Sequence, residues 1–249
     1  SWRMNLAKNP HQAIAPADEV FTTAFLDAHL AGTKAVHKGF DDIAGPDDDL
    51  DAIRAQLSAS RRGLRVRARP LSTRIDPVAV PEITEGFATE FDAVGFHPQI
   101  VAAVEAARAF PLGNDSVGIH LRAGDILYGR YRTLTHSWYK IISAPVARSL
   151  IRRHRDAGHE VIVFGQGAEL IPELCSSTGA TDASVLREAQ NLSRTGEAIF
   201  DLVLLSRCDH IIAGHSGFAI QAASISGRTV ENHLDLVPPE EAIEITRAD

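Results

Sequence analysis

Histidine, arginine and aspartate side chains lie close together in one stretch near the middle of the chain. Residues 116–125 read SVGIHLRAGD, and the apolar first half predicts a buried strand of a parallel sheet. His120, Arg122 and Asp125 follow at H-x-R-x-G-D spacing. Because alternate residues of an extended chain share a face, His120 and Arg122 can project into one site. The guanidinium suits a phosphate group, which it can grip through two parallel hydrogen bonds. The alternative is a strand end capped by an ion pair between Arg122 and Asp125.

Two other predicted strands also end in loops rich in glycine or polar residues. The strand over 160–164 runs into the loop 165–167, and the strand over 210–213 runs into the turn 214–218. The carboxyl ends of strands in an open parallel sheet lie along one edge, where such folds bind their ligands. We therefore expect these two loops and the residues from His120 onwards to share one ligand.

The turn 214–218 has the composition of an anion site. Ser216 and the backbone amides of Gly217 and Phe218 would lie at a helix N-terminus, where free N–H groups and the helix dipole favour a phosphate. The alternative is that Ser216 only caps the helix. A serine hydrolase is disfavoured, because Phe218 stands where the G-x-S-x-G motif needs glycine, and because His233 precedes Asp235 in the chain.

A carboxylate interrupts the apolar stretch 199–205 of the helix predicted over 196–207. Asp201 follows Ile199 and Phe200 and precedes a run of aliphatic residues. A carboxylate in such surroundings is unfavourable unless it is paired or lies on an exposed face. It could accept hydrogen bonds from a base edge, such as the amide and amino group of guanine. The alternative is a surface aspartate near the start of the helix, stabilised by the helix dipole.

The composition is that of an ordinary globular protein. The 249 residues, 45% hydrophobic and 23% charged, suffice for one large domain or two small ones. The net charge of −7 argues against a general binder of nucleic acid or of membrane surfaces. Cys175 and Cys208 make no disulfide framework and show no metal-ligand spacing, so we expect a cytoplasmic protein without a bound metal. We expect no membrane span and no signal peptide, because no apolar run of that kind is present.

Strands alternate with helices in the second half of the chain, which predicts a doubly wound α/β fold with a parallel sheet. The first seventy residues carry weaker signals. Helices are predicted over 19–31, from 45–49 to about 60, and over 96–110, 137–157, 168–175, 196–207 and 218–226; strands are predicted over 64–68, 116–120, 160–164, 210–213 and 229–231.

Three segments resemble, in order, the donor motifs of the GT-B fucosyltransferase superfamily, which comprises the α1,6-fucosyltransferases, their bacterial chitooligosaccharide relatives and the protein O-fucosyltransferases. Residues 120–125 are similar to the first motif, H-x-R-x-G/T-D, and residues 161–166 are similar to the second, a strand with a short polar loop. Residues 199–218 are similar to the third and are the most specific, because an Asp-bearing helix, an S-x-x-D turn, a strand and a Ser-bearing loop recur in order. The resemblance covers residues 94–228.

The resemblance implies a metal-independent, inverting transfer from a GDP-sugar, with GDP-fucose as the expected donor, to a glycan or other hydroxyl acceptor, without a further cofactor. Arg122 would be catalytic, since it would bind the β-phosphate and stabilise the departing GDP. His120 would contact the nucleotide, Asp201 would bind guanine, and Ser216 with the next amides would hold phosphate. The expected donor-binding residues are His120, Arg122, Gly124, Asp125, Gln166, Asp201, His215, Ser216, Gly217 and Phe218.

The implied fold is GT-B-like, with an acceptor-side domain over 1–113 and a nucleotide-sugar domain over 114–249. Two departures from the family pattern matter. Gln166 stands where the second motif usually has an acidic residue, and no Gly-rich strand–turn–helix precedes Trp2. We therefore expect an N-terminal domain that is either truncated or reduced. A nucleotide-sugar-binding protein without transferase activity is the alternative function.

Overall fold

The computed structural model describes residues 17–30, 41–43, 64–66, 89–122, 141–165 and 170–237. Several predicted features lie outside these ranges, namely the helix from 45–49 to about 60 and most of the polar loop 121–135. Three predicted site residues, Gly124, Asp125 and Gln166, also lie outside them.

The described N-terminal part consists of two short helices and one pair of strands. Helices α1 (Ala17–Val20) and α2 (Thr23–Leu30) cover most of the helix predicted over 19–31. They are separated where the backbone of Phe21 forms an antiparallel bridge to Phe96. Strands β1 (Asp41–Ile43) and β2 (Leu64–Val66) pair in parallel, and β2 confirms the strand predicted there.

Five strands form the central sheet, in the order β5-β4-β3-β6-β7. They are β3 (Val117–Leu121), β4 (Val161–Gly165), β5 (Thr181–Asp182), β6 (His210–Ala213) and β7 (Val230–Asn232). The chain starts at the central β3, moves outwards to β5, and crosses back to place β6 and β7 on the other side. All four pairings are parallel, so the carboxyl ends of the strands lie along one edge. The predicted α/β class and doubly wound parallel sheet are confirmed.

Helices cover both faces of this sheet. They are α3 (Pro98–Ala109), α4 (Ala144–Asp156), α5 (Leu170–Thr178), α6 (Ala183–Glu188), α7 (Arg194–Arg207), α8 (Gly217–Ser226) and α9 (His233–Leu236). The core on one face is shared with α3, α7 and α8, and the core on the other with α4 and α5. Because both faces are buried, the strands read as continuous apolar runs in the sequence. No helix within the described ranges is both long and apolar enough to cross a membrane.

The alternation of side chains along β3 decides which helices His120 faces. Ile119 and Leu121 belong to the core that β3 shares with α4 and α5. Gly118 points to the other face, where an added Cβ would lie 2.4 Å from Leu205 Cδ1 on α7. His120, two residues further on, therefore faces the layer of α7 and α8.

One predicted helix start is wrong, and one strand and one helix have no predicted counterpart. Helix α4 begins at Ala144 rather than at 137, because the Ser143 hydroxyl caps it by accepting a hydrogen bond from Val146 N (3.4 Å). Strand β5 and helix α6 were not predicted at all. Helix α6 starts where the Asp182 carboxylate accepts a hydrogen bond from Ser184 N (2.8 Å). Both starts show the side-chain oxygen that a helix N-cap requires, so a local signal was present.

The predicted domain boundary at residue 113 falls between α3 and β3. Helix α3 contributes Ala103, Val104 and Ala107 to the core that α7 and α8 share. From α7, Arg207 donates hydrogen bonds to Ala107 O (2.6 Å) and Phe110 O (2.7 Å) at the C-terminal end of α3. Helix α3 thus packs with the layer that follows it in sequence, and the boundary itself stays a prediction.

The last residue of β4 requires glycine. Gly165 has φ +145°, and an added Cβ would lie 2.1 Å from Leu121 O on β3. We expect Gly165→Ala to lower the free energy of unfolding by about 3 kcal/mol or more, because alanine disfavours this φ and because its Cβ would overlap the carbonyl oxygen of Leu121. Gly158→Ala is the matched control, since Gly158 has φ +88° but an added Cβ there would have no neighbour within 4 Å among the described residues. In urea unfolding, Gly158→Ala should lower the free energy of unfolding by only about 1 kcal/mol. Equal losses for the two variants would show that the close approach of Gly165 to Leu121 O does not matter.

Candidate functional site

The carboxyl end of β3 lies between the carboxyl ends of β4 and β6. His120 is in register with Phe164 on β4 and with Ala213 on β6. The loops after these three strands therefore start along one edge of the sheet, as predicted. Strand order reverses between β3 and β6, and doubly wound sheets bind their ligands at such a switch point.

The turn after β6 leads into helix α8, and Ser216 is its N-cap. The Ser216 backbone is extended (φ −125°, ψ 117°), and its hydroxyl accepts a hydrogen bond from Ala219 N (3.4 Å). The capping role is confirmed. The first intrahelical bond is donated by Ile220 N to Ser216 O (3.0 Å), so the amides of Gly217 and Phe218 precede the hydrogen-bonded turns. An added Cβ at Gly217 would have no neighbour within 4 Å among the described residues, so none of them covers these amides on that side.

A ring contact joins the first and third predicted motifs. The imidazole of His120 stacks on the phenyl ring of Phe218, with ring centroids 5.1 Å apart and planes 24° from parallel. This contact spans from the end of β3 to the first turn of α8. The structure therefore brings together His120, Ser216, Gly217 and Phe218, which the sequence placed in one site.

The His120 ring carries a buried nitrogen without a partner in the described part of the chain. Its Nδ1 has no hydrogen-bond partner among the described residues and is inaccessible to solvent. Burial, together with the positive charge of Arg122, lowers the pKa of His120 to about 4. The imidazole is therefore neutral at pH 7. Because buried polar atoms in native proteins are nearly always hydrogen-bonded, an unpaired one at a switch point favours a ligand as its partner.

Two groups contribute positive charge at this edge of the sheet. Arg122 directly follows β3 and is close enough to His120 to lower its pKa. The N-terminus of α8 adds the positive end of a helix dipole. An anion that bridges Arg122 and the amides of Gly217 and Phe218 would be stabilised by both. His215, also a predicted contact, lies in the turn that joins β6 to α8.

Asp201 lies in the interior, in the middle of α7. Its residue surface is 7% exposed, so the surface position near the helix start, which was the alternative, is wrong. Asp201 Oδ2 accepts a hydrogen bond from Arg187 on α6, whereas Oδ1 is buried without a partner among the described residues. Burial raises the pKa of Asp201 to about 7, against the opposing charge of Arg187. Its role in binding guanine stays a prediction.

A second aspartate of the same motif has a structural role at the opposite edge of the sheet. Asp209 Oδ2 accepts hydrogen bonds from Ser116 N (3.1 Å) and Ser116 Oγ (3.2 Å), and its Oδ1 accepts one from Arg228 (2.9 Å). Burial alone would raise the pKa of Asp209. The hydrogen bonds from Ser116 and the positive charge of Arg228 outweigh burial and lower that pKa. Asp209 thus joins the starts of β3 and β6, and the S-x-x-D turn positions the strands rather than the ligand.

Two residues near the site were not predicted from the sequence. Arg187 is the ion-pair partner of Asp201. His233, at the start of α9, is buried, and its Nδ1 has no partner among the described residues. Burial lowers the pKa of His233, although a hydrogen bond to the Ala213 backbone opposes the shift. Neither residue belongs to one of the three sequence motifs. Arg187 contacts Asp201 because α6 packs next to α7, and His233 lies at the carboxyl edge of the sheet because it follows β7.

The comparisons with known proteins are distant. No protein-family model matches the sequence, and no curated protein matches it. Solved structures that match include POFUT1 in complex with GDP-fucose (crystal form II), with 13% sequence identity and a TM-score of 0.33 over 54% of this chain and 45% of that chain. POFUT1 in complex with GDP (crystal form III) matches with 14% identity and a TM-score of 0.35 over 55% of this chain and 46% of that chain. The matched part spans less than half of those chains, and similarity at this level assigns no residue a role.

Proposed function

We propose that this protein is a metal-independent, inverting glycosyltransferase that uses a GDP-sugar, with GDP-fucose as the donor, and a glycan or other hydroxyl as the acceptor. The observation that supports it best is the arrangement at the switch point. There His120 and the stacked Phe218 lie beside Arg122 and the N-terminus of α8, and the buried Nδ1 of His120 has no hydrogen-bond partner among the residues that the structure describes. On this proposal the five-stranded sheet belongs to the nucleotide-sugar domain of a GT-B-like fold.

On this proposal one phosphate of the diphosphate is bound by the N-terminus of α8 and the other by the Arg122 side chain. The amides of Gly217 and Phe218 are suited to hold one phosphate, because they precede the hydrogen-bonded turns of α8. Arg122 is suited to the other, through two parallel hydrogen bonds from its planar guanidinium. His120, neutral at pH 7, adds a hydrogen bond to the nucleotide without adding charge. Asp201 accepts hydrogen bonds from the N–H groups of guanine.

The reaction is one in-line displacement at the anomeric carbon. The acceptor oxygen forms a bond to that carbon from the face opposite the diphosphate, while the bond from the carbon to the β-phosphate oxygen breaks. The electron pair of the broken bond leaves with GDP, and a base outside the assigned residues takes the acceptor proton. Negative charge grows on the leaving oxygen, so the contact with Arg122 strengthens in the transition state and accelerates the reaction.

Calorimetric titration tests the proposal. We expect GDP to bind in buffer with EDTA and with the same affinity after Mg²⁺ or Mn²⁺ is added, because Arg122 and the helix amides supply the positive charge that a divalent ion would otherwise supply. UDP should bind more weakly, since it lacks the amide and amino edge of guanine. A requirement for a metal ion would contradict metal independence, and tighter binding of UDP would contradict the choice of donor.

A turnover assay separates the enzyme from a binding protein that uses the same site. Release of GDP from GDP-fucose, with water or a panel of glycans as acceptor, is expected from a transferase. Ser216 gives no support for hydrolysis by a serine nucleophile, since its hydroxyl caps α8 and its backbone is unstrained. Binding of GDP-fucose without release of GDP under all these conditions would favour the binding protein.

A further inference from the structure

The ion pair between Arg187 and Asp201 holds only one oxygen of the carboxylate. An Arg187 guanidinium nitrogen donates to Asp201 Oδ2, and the two side chains are 18% and 10% exposed. Asp201 Oδ1 is buried and has no hydrogen-bond partner among the described residues. A buried carboxylate oxygen without a donor is unfavourable by about 1–3 kcal/mol or more. This favours an N–H donor from a ligand as the partner of Oδ1.

We infer that Arg187 is a positioning residue for base selection, which fixes the Asp201 carboxylate through Oδ2 and so aims Oδ1 at the N–H edge of a nucleobase. The inference rests on the proposed function and adds to it a residue outside the three motifs. Helices α6 and α7 supply the two partners, and Arg187 is partly buried. Its guanidinium is planar and rigid, so it can fix the orientation of a carboxylate as well as its charge.

The charges around Asp201 make its ionisation depend on Arg187. Burial raises the pKa of Asp201 to about 7, Arg187 lowers it, and the like charges of Glu197 and Asp182 raise it further. Glu197 lies one turn earlier on α7, and Asp182 caps α6. A protonated Asp201 would present a hydroxyl donor to a base edge that also donates. Binding of the base should therefore weaken as the pH falls below 7. Without Arg187 the pKa of Asp201 should be higher, so this weakening should begin at a higher pH.

A purely structural ion pair is the competing explanation, and it predicts different results. A buried pair can serve only to hold α6 against α7, in which case removal of Arg187 lowers stability. That loss would affect GDP and UDP binding equally. It would also leave the pH profile of GDP binding unchanged.

The test is a titration of GDP and UDP between pH 6 and pH 9 against the wild type, Arg187→Gln, Asp201→Asn and the double variant. For Arg187→Gln we expect the loss of GDP affinity to begin at least about one pH unit higher, which weakens GDP binding at pH 7 about fivefold or more. UDP affinity should stay within about twofold. Because Arg187 acts through Asp201, the double variant should match Asp201→Asn within about twofold.

Glu197→Gln is the matched control, since it removes a neighbouring charge of the opposite sign. It should move the pH profile of GDP binding to lower pH. Thermal unfolding of each variant shows whether it folds. If Arg187→Gln does not fold, Arg187→Lys decides, because lysine keeps the charge but not the planar grip, and GDP affinity should fall severalfold with UDP unchanged.

The outcomes separate this inference from the proposed function. If Asp201→Asn weakens GDP binding but a folded Arg187→Gln keeps the wild-type affinity and pH profile, the role of Arg187 is overturned and the proposed function stands. Equal losses for GDP and UDP in Arg187→Gln would also overturn it. If the wild type binds GDP at no pH, the proposed function itself fails.

Discussion

Replacement of Arg122 by lysine should lower the rate of sugar transfer about 30- to 1,000-fold while the protein remains folded. Lysine keeps the positive charge but loses the planar contact with two phosphate oxygens. The loss corresponds to about 2–4 kcal/mol of transition-state stabilisation. Because the charge on the leaving diphosphate grows during the reaction, kcat should fall more than the donor KM rises. Steady-state release of GDP from GDP-fucose measures both.

The same substitution at a surface arginine provides the control. Arg148 on α4 donates to Glu173 (2.8 Å) in an exposed ion pair on the face of the sheet that α4 and α5 cover. Arg148→Lys should leave kcat and KM unchanged, since exposed pairs contribute little. Nearly full activity in Arg122→Lys would make Arg122 a structural cap of β3 and would remove it from the proposed mechanism.

The central strands could be predicted from the sequence because both of their faces are buried. Strand β3 was expected over 116–120 and lies over Val117–Leu121, and β4 shows the same shift of one residue. Burial on both sides requires continuous apolar runs, which are unmistakable when they are bounded by glycine and polar residues. The polar residues at their ends could likewise be assigned to one edge, since parallel strands share a direction.

Contacts across the sheet could not be predicted in the same way. The stacking of His120 on Phe218 depends on β6 lying next to β3, and strand order is not encoded in either segment alone. Strand β5 has two residues, which is too short for any periodicity to appear. The helix that follows it carries Arg187, so the sequence pattern predicts neither this helix nor the ion pair between Arg187 and Asp201.

The third motif shows why a motif is not the same as a site. Asp201 and Asp209 belong to the same motif of the sequence, residues 199–218, but they lie in different surroundings, Asp201 in the middle of α7 and Asp209 just before β6. Asp209 is satisfied on both oxygens by Ser116 and Arg228 and fixes the strand starts. Asp201 is hydrogen-bonded through Oδ2 to Arg187, and its Oδ1 has no partner within the described part of the chain. The number of unpaired acceptor atoms, which only the packed structure reveals, distinguishes the candidate ligand contact from the structural residue.

Replacement of Asp201 by asparagine should weaken GDP binding about 10- to 100-fold and leave UDP binding nearly unchanged. Asparagine keeps the size and one acceptor, but its amide group presents a donor where guanine also donates. A loss of this size corresponds to one or two hydrogen bonds to a charged acceptor. Asparagine does not titrate, so the residual GDP binding should also lose its dependence on pH near 7, where burial places the pKa of Asp201.

Asp209→Asn is the matched control, because it makes the same chemical change in the same motif at the opposite edge of the sheet. It should lower thermal stability through the weakened contacts with Ser116 and Arg228, and it should affect both nucleotides equally. Titration of GDP and UDP against the wild type and the two variants separates the roles. Equal losses for GDP and UDP in Asp201→Asn, or no loss for either, would reject recognition of guanine by Asp201 and would leave the carboxylate as a structural partner of Arg187.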